Sequence, residues 1–187
     1  MFEYIIEKDK ELFLYLNGLG SEHWDIFWLF ISHKFSALPL YVLLLFFCFK
    51  YFKWKKTIVI LVCVALMIVA TDQLANVFKY GFERLRPCHD KSLISQMRLV
   101  ICGGKYGYFS AHAASSMAVA VFFGKLFHKK IKWLFLVLLL WSFLVGYSRI
   151  YLGVHFPGDV LTGFIIGGLL GFVFYLIIAD RYKHKTM

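Results

Sequence analysis

"TIVILVCVALMIVATDQLANVF", residues 57–78, decides the fold: it is close to the roughly 20 apolar residues that a helix needs to cross a hydrocarbon core. A second stretch, "VLTGFIIGGLLGFVFYLIIA" at 160–179, has a similar length and character. Three further spans are expected at 35–49, 110–127 and 131–148, shorter or interrupted by a polar residue but bounded by charge. With 60% hydrophobic and 20% aromatic residues and a mean hydropathy of +0.69, the chain is too apolar for a soluble domain of its size. Residues 11–33 are apolar but broken by Asn17, Gly18, Gly20, Glu22, His23 and Asp25. They read as interfacial or re-entrant helices, with a short sixth span as the alternative, and are too broken and too far from the start for a cleaved signal peptide. The expectation is an all-α polytopic membrane helical bundle of five to six transmembrane helices. It forms one domain over 1–187, with 1–33 as the N-terminal segment and 34–180 as the helical core.

Orientation follows from the lysines, because short loops rich in Lys and Arg stay in the cytoplasm. Lys50, Lys53, Lys55 and Lys56 form one cluster, Lys129, Lys130 and Lys132 a second, and Arg181, Lys183 and Lys185 a third. With these spans all three fall on one face, so 79–109 and 149–159 face outward. The outer segment is itself basic, carrying Lys79, Arg84, Arg86, Lys91, Arg98 and Lys105. Such a loop attracts either anionic head groups or an anionic substrate. The formal net charge of +10 needs no nucleic-acid partner. Cys48 and Cys63 lie inside spans and read as packing residues. Cys88 and Cys102 fall in the outer segment, either as free thiols or as a bridge closing a loop of about 15 residues, worth roughly 3 kcal/mol.

Topology alone gathers the polar residues. Lys79 ends one span and Arg86 follows; Ser110 and His112 open the next; two crossings later Arg149 ends a span, and His155 and Asp159 open the last. All lie on the same membrane face, and cations, imidazoles, a hydroxyl and a carboxylate together have the composition of a phosphate-handling site. "KYGFERLRP" (79–87), "FSAHAA" (109–114) and "SRIYLGVHFPGD" (148–159) resemble the three signature blocks of the type 2 phosphatidic acid phosphatase (PAP2) family, written KxxxxxxRP, PSGH and SRxxxxxHxxxD. The first and third blocks match at every defining position. The middle one has Phe109 for the usual proline and Ala111 for the usual glycine.

The resemblance implies a membrane lipid phosphatase in which His155 is the nucleophile, held in its tautomer by Asp159, and His112 is the acid and then the base. Lys79, Arg86, Arg149 and Ser110, with the backbone N–H of Ala111, would hold the phosphate oxygens. No metal and no cofactor are implied, because a two-metal phosphatase needs several convergent carboxylates. The expected partners are a phosphorylated lipid and the bilayer. The resemblance further implies the bacterial inner membrane, with the site facing the periplasm. Undecaprenyl diphosphate comes first as substrate and lipid A second, with phosphatidylglycerophosphate or phosphatidic acid behind. A transporter would place its ionisable residues near mid-membrane, and an anion-binding protein would need no His-Asp pair. Vanadium haloperoxidases share related motifs but are soluble.

The remaining polar residues carry less. His23, His33, His89, His128 and His184 lack such a constellation and receive no catalytic role. Asp72, Asn76 and Lys79 share one helix face that either lines a groove or forms a buried seam with Thr71. Gly163, Gly167 and Gly171 form a stripe suited to close helix packing, and Gly103 and Gly104 mark a loop.

Overall fold

The computed structural model describes residues 2–183, and Lys185 and His184 lie outside them, as do the side chains of Arg181 and Lys183. Among the described residues it holds seven α-helices: α1 (Phe2–Gly18), α2 (Glu22–Ser32), α3 (Leu38–Tyr51), α4 (Trp54–Phe82), α5 (Ala111–Phe127), α6 (Leu134–Tyr151) and α7 (Pro157–Lys183). The breaks follow the local chemistry. Phe52 and Lys53 are extended between α3 and α4, and α4 stops at Glu83 in the left-handed region (φ 48°). Ser110 caps α5, its Oγ accepting from the Ala113 N–H. Pro157 opens α7, where its missing N–H costs nothing.

Three helices are individually long and apolar enough to cross a membrane: Trp54–Phe82, Leu134–Tyr151 and Pro157–Asp180. Leu38–Tyr51 and Ala111–Phe127, also expected as spans, are shorter apolar helices. The 14 residues of α3 reach only about 21 Å. For α5 the reason is its position: it is buried nearly all round, by α7 most extensively and then by α6. Its neighbours are protein rather than lipid, so it tolerates Ser115 and Ser116.

α7 shows how this packing is written in sequence. Leu161, Ile165, Leu169, Phe172 and Leu176 are exposed along one face, as are Ile58, Leu61, Val62, Leu66 and Val69 on α4, which makes an apolar belt suited to lipid. The opposite face of α7 carries the glycine stripe, and it lies directly on α5: a methyl group at Gly163, Gly167 or Gly171 would strike the carbonyl of Ser110, Ala114 or Ala118. The backbones touch because nothing separates them. At one end of the bundle Leu44, Cys48, Ile60, Phe122, Phe127, Leu134 and Ile178 form the main apolar core. Lys129, Lys130 and Lys132 flank Tyr51 there, so the α3 terminus and the α5–α6 loop share that end, as the lysine pattern requires.

Residues 11–33 form parts of two helices that dock on α6 and α7. Asn17, which reads as an interruption, is a buried anchor. Its Nδ2 donates to the carbonyls of Arg98 (3.0 Å), Ile150 (3.3 Å) and Tyr151 (2.9 Å), and its Oδ1 accepts the Arg98 N–H at 2.7 Å. Asp25 pairs with Arg98 at 3.0 Å. The outer segment is closed by a Cys88–Cys102 disulfide. It folds back on itself through an antiparallel bridge between Leu85 and Tyr106.

Candidate functional site

Each side chain of the site is aimed by a chain turn. After Glu83, residues 84–86 run extended against 105–107, with the Arg86 N–H on the Lys105 carbonyl (3.1 Å) and the Gly107 N–H on that of Arg84 (2.9 Å). The Arg86 guanidinium is then steered by the Tyr106 and Val154 carbonyls. At the end of α6, Gly153 takes φ 83°, a conformation that residues with a Cβ rarely adopt. The chain thereby doubles back, so that the N–H groups of both Val154 and His155 reach the Arg149 carbonyl (3.1 and 3.2 Å). In the first turn of α7 comes Asp159, fully buried, whose Oδ2 accepts the Phe156 N–H at 3.0 Å and lies 3.5 Å from His155 Nδ1.

These turns surround a cavity of about 610 Å³. Lys79, Arg86, Ala111, His112, Arg149 and His155 line it, so six of the expected site residues converge. Asp159 stands directly behind His155. Ser110 is the exception among the expected phosphate ligands: its hydroxyl is fully buried on the α5 cap and is not part of the lining. A helix N-terminus needs that cap, and the requirement takes the side chain out of the cavity. What the cavity sees of this block is Ala111, at the α5 N-terminus, where unpaired backbone N–H groups favour an anion. Phe109, in the position of the family's proline, is buried against Ala75, Phe78 and Ala114.

The cavity favours negative charge. Arg149 is 8% exposed, donates through Nη1 to Ser32 Oγ, and has a buried Nε without a hydrogen-bond partner among the described residues. His155 is held well below the ordinary range of an imidazole, first by burial and then by the charges of Arg86, Arg149 and Lys79. The same surroundings favour its neutral form. Asp72 and Asn76 line the cavity together with Lys79, which answers the groove-or-seam question in favour of a groove, whereas Thr71 is buried and donates to the Ile68 carbonyl. Asp72 is the only carboxylate in the lining, a poor donor set for a pair of metal ions. Cys88, His89 and Cys102 form the one metal-type donor group among the described residues, but both sulfurs are committed to the disulfide.

Two contributions escaped the sequence reading. The end of α2 and the α2–α3 connection supply a wall through Ser32, His33 and Lys34, and no local pattern announces it. Arg84, counted only as one more basic residue, places Nη1 2.6 Å from Asp159 Oδ1. Here a partial signal existed: in extended chain, residues two apart leave on the same face, so Arg84 starts out on the side of Arg86, although only Arg86 reaches the cavity.

The chain is similar to known proteins over most of its length. The sequence profile of the PAP2 superfamily matches residues 60–183. The lipid A 4′-phosphatase of Bacteroides thetaiotaomicron is 38% identical over 95% of this chain and 80% of its own, and that of Porphyromonas gingivalis 36% over 94% and 75%. Among solved structures, the transmembrane PAP2-type phosphatidylglycerolphosphate phosphatase of Bacillus subtilis superposes with a TM-score of 0.76 over 95% of this chain and 87% of its own, at 23% identity. With its cation-lined cavity at one end of a helical bundle, its three motif blocks and these relatives, the chain belongs to the PAP2 superfamily and is a membrane lipid phosphatase.

Proposed function

We propose that His155 attacks the phosphorus of a lipid phosphate and carries the phosphoryl group as a phosphohistidine. The observation that carries this reading is the pairing of a buried His155 with Asp159 at 3.5 Å on the wall of a cavity that also holds His112, Lys79, Arg86 and Arg149. Asp159 Oδ2, the carboxylate oxygen 3.5 Å from a His155 Nδ1 that has no hydrogen-bond partner among the described residues, favours the proton on Nδ1, which leaves Nε2 as the attacking atom. As the N–P bond forms, the P–O bond to the lipid breaks, and His112 gives that oxygen its proton. His112 then takes a proton from water, whose oxygen displaces His155 and releases inorganic phosphate. Lys79, Arg86, Arg149 and the Ala111 N–H hold the non-bridging oxygens, and their fixed charge does the work that a metal does elsewhere. Ser110 acts through the cap that sets this helix end. Residues 1–187 work as one domain, since α1 and α2 are tied to α6 and the outer segment by Asn17 and Asp25.

For substrate we place lipid A first, reversing the order expected from sequence, because likeness to two lipid A 4′-phosphatases over 95% and 94% of this chain outweighs the choice of undecaprenyl diphosphate, for which no single residue spoke. The site faces the periplasm of a bacterial inner membrane in this reading. Its support is the lysine-rich opposite end and a disulfide on the site's own side, which suits an oxidising compartment. The test is phosphate release by the purified protein from bis-phosphorylated lipid A, undecaprenyl diphosphate and phosphatidylglycerophosphate in one detergent. Turnover of lipid A at least tenfold above the others supports the assignment. Preference for undecaprenyl diphosphate restores the earlier order, and release from none of the three refutes the proposal.

A further inference from the structure

The buried carboxylate behind His155 is itself held from two sides. Arg84 directs both arms of its guanidinium at carboxylates: Nη1 to Asp159 Oδ1 and Nη2 to Asp9 Oδ2, each at 2.6 Å. Asp9, on α1, uses its other oxygen to accept the Gly158 N–H at 2.8 Å, in the first turn of α7. The Arg84 guanidinium also lies 4.4 Å over the ring of Phe156, between His155 and that turn. Asp159 is fully buried, Arg84 is 23% exposed and Asp9 13%. Arg84 is absent from the cavity lining.

We infer that Arg84 and Asp9 are positioning residues for the phosphoryl-transfer step, forming a clamp that fixes the Asp159 carboxylate against His155. The planar fork explains why the residue is arginine. Only a guanidinium can hold two carboxylates in fixed directions at once, and a lysine ammonium holds either one without orienting it. The geometry explains the need. Asp159 must present Oδ2 to the His155 ring while its other oxygen is tied down; released, a buried carboxylate would turn toward whichever donor remains. Asp9 matters because it ties the far arm of Arg84 to the α7 N-terminus, so the clamp and the carboxylate move as one body. It reaches the site from α1, outside the residues matched by the superfamily profile.

The inference rests on the proposed roles of His155 and Asp159, and its test separates the two. Steady-state kinetics with bis-phosphorylated lipid A, or with dioctanoyl phosphatidic acid if lipid A is not turned over, are measured for Arg84→Gln, Arg84→Lys and Asp9→Asn, normalised to monodisperse protein. Misplacing a reacting group by about 1 Å costs on the order of 10²-fold, so Arg84→Gln should lower kcat by about 100-fold with KM changed less than about threefold. Arg84→Lys should recover about tenfold of that loss. Asp9→Asn, which keeps the acceptor for Gly158, should lower kcat by about fivefold, and adding it to Arg84→Gln should cost little more, because both act through one network. A rise in KM at constant kcat would make Arg84 a substrate ligand and overturn the clamp. So would wild-type kcat in Asp9→Asn, the variant that decides if Arg84→Gln does not fold. If instead His155→Ala retains activity, the phosphohistidine reading has failed and the clamp with it; an inactive His155→Ala beside unaffected clamp variants sinks the clamp alone.

Discussion

Replacing Asn17 by alanine tests how the N-terminal helices are attached. The side chain is buried and makes hydrogen bonds to three carbonyls and one N–H, three of them at 3.0 Å or shorter. The substitution removes the two good bonds to the Arg98 and Tyr151 carbonyls, each worth about 1 kcal/mol net, and strips the Arg98 N–H of its acceptor, a desolvated donor costing roughly 1–3 kcal/mol. The Ile150 carbonyl loses least, since it also accepts from the Gly153 N–H at 3.1 Å. A loss of about 3–5 kcal/mol follows, which for a domain of this size lowers the melting temperature by roughly 6–20 °C. Thermal unfolding of the detergent-solubilised protein, followed by loss of the monodisperse peak in size-exclusion chromatography, measures it. Asn17→Asp should be at least as damaging, because it keeps the acceptor for Arg98 but turns a charged oxygen toward the carbonyls. If Asn17→Ala melts within about 2 °C of the wild type, the anchoring argument is wrong, and α1 and α2 are held by their apolar contacts and by the Asp9 and Asp25 ion pairs.

Substituting His155 or His112 with alanine should each abolish turnover in a protein that still inserts and folds, and acid-labile, base-stable labelling from a phosphate-labelled lipid should vanish with His155; labelling that survives reassigns the nucleophile. Activity should persist in EDTA, since Lys79, Arg86 and Arg149 supply the positive charge; loss that a divalent ion restores would refute the metal-free mechanism. Reducing Cys88–Cys102 should cost about 3 kcal/mol at most and raise KM more than it lowers kcat, because the bridge closes the segment that aims Arg86. Both thiols reacting with an alkylating reagent before any reduction would remove the premise.

Much of this protein is legible from its residues. The apolar runs at 57–78 and 160–179 announced membrane helices because lipid demands a length that little else requires. Alternating crossings then put Lys79, Arg86, His112, Arg149 and His155 on one face, since a helix that spans can only end on one side or the other. The Gly163, Gly167 and Gly171 stripe announced a close neighbour in the same way, by spacing. Each of these is a short-range constraint, enforced by the solvent or by helix period, and so it is written in consecutive residues.

What sequence could not supply was direction and long-range pairing. Ser110 sits in the right place for a phosphate ligand, yet its hydroxyl turns to the helix cap, a choice between two acceptable roles that only the packed α5 terminus makes. Asn17, Gly18 and Gly20 look alike as interruptions, but only Asn17 meets the carbonyls at the end of α6, more than a hundred residues away. Asp9, Arg84 and Asp159 are likewise joined by docking, not by spacing. A hydrogen bond depends on positions to within a few tenths of an ångström, and those are fixed only once every helix has settled against the others.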